Sequence, residues 1–350
     1  MGRAAAVQDR VVRLCSPGAD ARTLRLELLT EIRRAVGFDA YAWLLTDPET
    51  SVGSDPLADV PCLPELPRLI RLKYLTPVAR WTALPAVGVT TLLAATGGEP
   101  ARSRLWRELL AAYGVVDLAS AVFRDAYGCW GFLDLWRVGP GARAFTPDET
   151  GLLAELAPAV TGGLRRAQAA TFAASPGSGA EGPVVLLLSP ELTPLAQTPQ
   201  TDAYLRALVP PEGDARPVPA AAYNVGAQLL AVEEGVDGNP PVARVHLSGG
   251  QWLGVRAARM DEAPATARGT IAVTIEPASP AERLGLFARA CGLTRREAEL
   301  LRHLATGSDT RGLARRMGLS EHTVQDHLKS VFVKTGTRSR RDLLARALGG

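Results

Sequence analysis

Long apolar runs are missing from this 350-residue chain, and with no stretch of 18 or more apolar residues no helical membrane span is expected. The first residues, MGRAAAVQDRVVR, lack the apolar core of a secretory signal, which leaves a cytoplasmic protein as the expectation. Cysteine is scarce: Cys15, Cys62, Cys129 and Cys291 lie far apart, and none forms a Cys-x-x-Cys pair. Free thiols in a reducing compartment fit that usage better than a disulfide framework. Lysine is nearly absent, with Lys73, Lys329 and Lys334 the only lysines among 39 basic residues, an arginine bias that reflects a GC-rich genome rather than a function. Catalytic fingerprints are also missing: there is no Gly-x-Ser-x-Gly elbow, no P-loop and no Gly-x-Gly-x-x-Gly after a strand, so neither catalytic residues nor a cofactor are expected. His322 and His327 are five apart rather than the four of a helical zinc pair, and His246 and His303 have no ligand spacing around them, so no metal site is expected. The N-terminal half lacks the alternating strands and helices, and the acidic pair after a first strand, of a phosphorelay receiver.

What is present is enough for two or three domains with buried cores, at 47% hydrophobic residues and six Trp. The net charge of +3 hides an asymmetry. From Arg283 onward there are 14 Lys/Arg against six Asp/Glu, whereas the first 282 residues hold 25 against 30. A basic terminal segment on a slightly acidic body is the charge distribution that phosphate binding requires.

Within that segment, Asp309 to Thr335 contains two short helical patterns meeting at Gly318-Leu319-Ser320. Leu313, Ala314 and Met317 form the apolar face of the first, and Ser320 reads as the N-cap of the second. The second repeats apolar residues at Val324, Leu328, Val331 and Phe332, leaving Gln325, Asp326, Lys329 and Ser330 on the opposite face. This is the helix-turn-helix pattern for the major groove, although an ordinary helical pair with a solvated polar face has the same local pattern. The flanks favour the first reading. Thr294 and Glu297 form a capping box that opens a helix with Ala298, Leu300, Leu301 and Leu304 inward, Gly336 stops the recognition helix, and Ser339 starts a last helix with Leu343, Leu344 and Leu348.

Leu293-Thr-Arg-Arg-Glu297, Gly307, Leu313-Ala-Arg-Arg-Met317, Gly318-Leu-Ser320, His322-Thr-Val324, His327-Leu-Lys329 and Lys334-Thr-Gly336 resemble the DNA-binding domain of LuxR-type transcription regulators. The resemblance covers about 286–350, under a fifth of the chain. Two positions depart from the family's usual residues: Thr310 stands for an Asn and Gly312 for a Glu, the latter weakening the helix by up to about 1 kcal/mol. By position in the motif, Gln325, Asp326 and Lys329 are expected to face bases, with Arg311 and Thr323 nearer the DNA backbone and Thr310 and Ser320 also at the DNA interface. The resemblance further implies double-stranded promoter DNA as partner, a homodimer because one such domain reads only a half-site, and RNA polymerase as a further contact.

Residues 20–170 read as one α+β domain: a helix with Leu24, Leu28, Ile32 and Val36, a strand from Phe38 to Leu45, helices at Leu63–Leu75 and Ser103–Tyr113, a hairpin of Leu118–Arg124 with Cys129–Val138, and a helix opened by Thr146-Pro-Asp-Glu149. That order, with Cys129-Trp-Gly-Phe-Leu-Asp134 and Phe145-Thr-Pro-Asp-Glu149, resembles a GAF-type sensory domain occupying 1–170. It implies a small-molecule effector between sheet and helices near Tyr41, Trp43, Trp81 or Trp130, although for any single one of these aromatics plain core is the favoured reading.

The stretch at 171–182, rich in Ala, Ser and Gly, reads as a flexible linker. After it come a strand at Val184–Leu188, helices at Thr201–Val209 and Ala220–Glu233, and strands at Val242–Leu247, Trp252–Ala257 and Ile271–Ile275, the first two joined at Ser248–Gln251. This resembles a PAS-type domain at 183–277, a second sensor or a structural spacer. The expected whole is an α+β multidomain chain ending in an all-α four-helix domain at 284–350, a transcription regulator gated by a ligand or partner. The competing reading is an interaction module whose helix-turn-helix docks on the transcription machinery without reading an operator.

Overall fold

Two antiparallel five-stranded sheets carry the first 277 residues, and a cluster of helices follows them. The computed structural model describes residues 2–16, 18–85, 88–173, 184–208, 219–247, 250–260 and 269–349. The first unit runs α1 (Gly2–Leu14), α2 (Ala21–Ala35), β1 (Ala40–Thr46), β2 (Gly53–Asp59), α3 (Leu66–Leu75), β3 (Val89–Thr91), α4 (Leu92–Ala95), α5 (Arg104–Glu108), β4 (Val115–Asp125), β5 (Gly128–Val138) and α6 (Pro147–Ala170). The second contains β6 (Val184–Leu188), β7 (Pro194–Gln197), α7 (Pro199–Leu208), α8 (Ala220–Glu233), β8 (Val242–Leu247), β9 (Gln251–Arg259) and β10 (Ile271–Pro277). The last comprises α9 (Pro280–Ala290), α10 (Arg295–Ala305), α11 (Thr310–Met317), α12 (Glu321–Thr335) and α13 (Arg340–Leu348).

The sheet orders are β2-β1-β5-β4-β3 and β7-β6-β10-β9-β8. Counting strands within each sheet, both read 2-1-5-4-3. Side chains alternate across the first sheet with period two. Trp43, Leu133 and Leu135 join the core under α2 and α6, whereas Ala42, Leu44, Phe132, Asp134 and Trp136 face the other way. Leu24, Leu28 and Ile32 of α2 and Leu153, Leu156 and Val160 of α6 complete the first layer.

Several elements differ from the sequence expectation. The first strand starts at Ala40 rather than Phe38, and Ser103–Tyr113 divides into α5 and a 3-10 turn at Leu110–Tyr113. Sequence patterning did not disclose α1, α9 or the strands β2, β3 and β7. β2 contains Gly53 and Pro56, poor strand formers that are tolerated because β2 is an edge strand. Thr171–Ala173, expected at the start of a linker, is a 3-10 turn with Phe172 buried, while the rest of that linker (174–182), the turn residues 248–249 and residue 209 lie outside the described residues.

Helix α8 binds the two sheet units together. Its sequence, AAAYNVGAQLLAVE, is apolar on all sides, the signature of a helix buried all round. It packs on α3 and β2 of the first unit and on β9 of its own sheet. Arg244 of β8 adds a buried pair with Asp47, Nε–Oδ2 2.5 Å and Nη2–Oδ1 2.6 Å. Arg80 contacts Asp237 at 2.7 Å. The terminal helices dock where both units meet: Phe172 stacks on Trp252 and meets Phe287 of α9 edge-on, both at 5.3 Å. Arg283 of α9 lies over the Phe172 ring at 4.9 Å and donates to the Gly250 carbonyl at 2.7 Å.

Candidate nucleic-acid interface

Each terminal helix starts on a side-chain cap. Thr294 and Glu297 cap α10 reciprocally, Asp309 accepts from the Gly312 N–H at 2.7 Å, Ser320 accepts from the Thr323 N–H at 3.1 Å, and Ser339 caps α13. Gly318 and Gly336 end α11 and α12 at φ 65° and 63°, the left-handed conformation that favours glycine. Gly312 also acquires a reason: a Cβ there would lie 2.9 Å from the Asp309 carboxylate that caps the helix. Leu300, Leu301, Leu304, Leu313, Met317, Val324, Leu328, Val331 and Leu343 are buried together and fix α11 against α12.

The face of α12 that this core leaves outside carries Gln325, Asp326 and Lys329, all exposed. Lys329 pairs with Asp326 at 3.2 Å, and His322 approaches the same carboxylate at 3.6 Å. Ser320 and Thr323 share a hydroxyl contact at 2.8 Å over the first turn of α12. Gln325 reaches back to Thr310 Oγ1 at 3.5 Å, and Arg311 stands exposed, 4.0 Å from Glu321. The seven residues expected at the interface therefore occupy the start of α11 and the outer face of α12.

Ser330 is the exception to the sequence-derived polar face. Its hydroxyl donates to Glu297 at 2.6 Å, and Lys334 contacts the other oxygen of the same carboxylate at 2.6 Å. Burial raises the Glu297 pKa, but the hydrogen bonds from Lys334, Ser330 and Thr294 outweigh it and hold the group at about 2. Glu297 thus caps α10 and pins α12 at once, although the sequence disclosed only its cap. Arg340 was also missed: its guanidinium donates to Thr310 Oγ1 at 2.6 Å, beside Gln325.

Residues 292–347 match the family model of bacterial regulatory proteins, luxR family. This luxR-family domain is a small part of the chain and contains α10 to α12 and most of α13. No curated protein is matched by the chain. Among solved structures, Escherichia coli SdiA aligns at 12% identity over 98% of this chain and 96% of its own, with a TM-score of 0.35. SdiA in complex with octanoyl-rac-glycerol aligns at 11% identity over 100% and 96%, TM-score 0.34. A bacteriophytochrome from R. palustris aligns at 13% identity over 78% and 62%, TM-score 0.33.

The aromatic residues singled out in the first unit do not gather at one place. Trp43 and Trp130 are fully buried in the core under α2 and α6, and Tyr41 packs half-buried against that core. Trp81 lies on the opposite side, stacked on Phe132 at 4.4 Å with its N–H on the Ser51 carbonyl. None of the four lines the apolar cavity of about 190 Å³ enclosed by the sheet, α3 and α8. Among the described residues, no group of three or more His, Cys, Asp or Glu is placed to hold a metal ion, and no helix is long and apolar enough to cross a membrane. The four cysteines are free, Cys15, Cys62 and Cys129 buried and Cys291 half-buried.

Proposed function

We propose that the protein is a cytoplasmic transcription regulator that reads double-stranded promoter DNA with α12, acts as a homodimer and answers to a small effector through its upstream units. The observation that carries this is the outer face of α12, where Gln325, Asp326 and Lys329 stand exposed on a helix whose inner face is locked in a core. Gln suits adenine, Lys suits guanine, and Asp accepts only from a base amino group while repelling phosphate. Thr310, Arg311, Ser320 and Thr323 take the backbone side, where the α12 N-terminus adds its own affinity for phosphate. Homodimerisation follows from the short half-site that one such domain spans, and RNA polymerase is a second partner.

The upstream units are read as a GAF-like domain at 1–170 and a PAS-like domain at 183–277, ahead of the DNA-binding domain at 284–350. Their common 2-1-5-4-3 strand order supports treating them as two related sensory folds. Competition gel shifts of the full chain on its own promoter region against random DNA, over a range of salt, test the reading. Specific binding that weakens steeply with salt is expected, and equal affinity for both DNAs overturns it.

A further inference from the structure

Protein cores leave few voids larger than a water molecule, so the cavity of about 190 Å³ beside the first sheet calls for a reason. Its walls come from both units. Ala42, Ala58 and Phe132 of the sheet form one side, Leu69 and Ile70 of α3 another, and Ala220 of α8 closes it from the second unit. Ala42 and Ala58 are cross-strand neighbours on β1 and β2, and both are only half-buried, with the cavity over them. Leu63 stands at its rim and is 52% exposed, so the space reaches the protein surface there.

The polar atoms of the lining are paired or out of a guest's reach. Lys73 and Asp134 pair at 2.7 Å, and Ser120 donates to the same carboxylate at 2.6 Å, which leaves this cluster internally neutral. The Tyr74 hydroxyl, fully buried, accepts from the Gly53 N–H at 2.9 Å. Trp136 Nε1 and both polar side-chain atoms of Asn224 lack partners among the described residues, but they are shut away from accessible surface and cannot contact a guest. A charged guest would therefore leave water and find no counter-charge. An ordered water needs about two to four polar partners, whereas an apolar-walled cavity of roughly 150 Å³ stays dry and takes a benzene ring.

We propose that this cavity is a ligand site for a small uncharged hydrocarbon-like molecule of roughly six to ten non-hydrogen atoms, an aromatic ring or short alkyl group held by apolar burial alone. The inference rests on the effector-gated reading above and names the chemical class of the effector. With Ala220 on one wall and the first sheet on another, the guest is held by both units.

The test uses the full chain without DNA, so that failure of DNA recognition or of gating and failure of this site remain distinguishable. Melting curves and titration calorimetry are recorded with toluene, benzamide, benzoate and benzylamine, which share a ring and differ in polarity and charge. Toluene is expected to raise the melting temperature and to bind at least about tenfold more tightly than benzoate or benzylamine, because neither charge finds a partner. Benzamide is expected to bind more weakly than toluene, since its amide loses water without gaining a hydrogen bond. Ala42→Leu places a larger side chain in the cavity and is expected to abolish the toluene shift. Should that variant not fold, Ala58→Leu fills the same wall from the neighbouring strand. No melting shift from toluene, binding of either charged compound as tight as that of toluene, or a folded filling variant that keeps the toluene shift would each overturn the proposal.

Discussion

Glu297 holds α12 in place, and Glu297→Gln tests how firmly. The carboxylate is 3% exposed and accepts from Lys334, Ser330 and the Thr294 backbone, which lowers its pKa from 4.5 to about 2 despite burial. Between 4.5 and about 2, at about 1.4 kcal/mol per pH unit, this amounts to roughly 3.5 kcal/mol of native-state stability at neutral pH. The amide keeps one acceptor for Ser330 and lets Lys334 turn to water, so a loss of about 1–3 kcal/mol is expected. Because the folded pKa lies below the unfolded one, the contribution is complete above about pH 4.5 and is lost as pH falls toward about 2. Urea unfolding of both proteins at pH 7 and pH 3 measures it. The gap is expected to shrink by about half at pH 3, where only about one unit separates the solution from the folded pKa. A gap of the same size at both pH values, or none at pH 7, refutes the assignment of Glu297 as an ionised tie between α10 and α12.

Lys329→Ala is expected to lose about 1–3 kcal/mol of specific affinity in a gel shift, and unchanged discrimination between operator and random DNA counts against the base-reading role. Arg244→Met leaves Asp47 buried without its cation and is expected to destabilise the full chain by about 3–5 kcal/mol in denaturant; a loss under about 1 kcal/mol contradicts the buried pairing. Phe172→Ala removes the ring against which Trp252 and Phe287 pack and is expected to lower stability by about 3–5 kcal/mol, measured by thermal melting; a near-neutral effect shows that the three-way junction is not packed as described. Residues 284–350 alone are expected to bind the full operator more weakly than the intact chain, and equal affinity in a titration shows that the upstream units do not supply the dimer contact.

Helices α10 to α13 were legible because their signals are local. A Ser, Thr or Asp cap marks each start, an acid follows three residues later in α10 and α13, and a closing Gly marks the ends of α11 and α12, so Ser320, Gly318 and Gly336 stand where those rules place them. Ser330 was not legible, since helical periodicity assigns it to the polar face while its partner Glu297 lies 33 residues upstream. Arg340 escaped for the same reason, reaching Thr310 across 30 residues. The all-round apolar character of α8 was visible in its sequence, but not that its two sides face different sheets. Edge strand β2 was lost because Gly53 and Pro56 outweigh any alternation, and β7 because it is four residues long and opens on Pro194; an edge tolerates both residue types.

Packed contacts run from α8 to the terminal helices. Asn224 lies on α8, α8 packs on β9, and Trp252 of β9 stacks on Phe172, which meets Phe287 of α9. Continuity alone is not coupling, because a ligand shifts an equilibrium only by its differential affinity for two arrangements. Trp252 Nε1, Arg283 Nε and His246 Nε2 are buried at this junction without partners, so the present arrangement leaves hydrogen bonds unmade. Burial, then the nearby Arg283 charge, lowers the His246 pKa to about 4, which leaves Arg283 as the charge held against Phe172 at neutral pH. Arg283 also donates to the Arg346 carbonyl of α13, so any repacking at this point is felt directly by the helices that support α12. Gln325, Asp326 and Lys329 on the outer face of α12 stay exposed with the upstream units packed against α9.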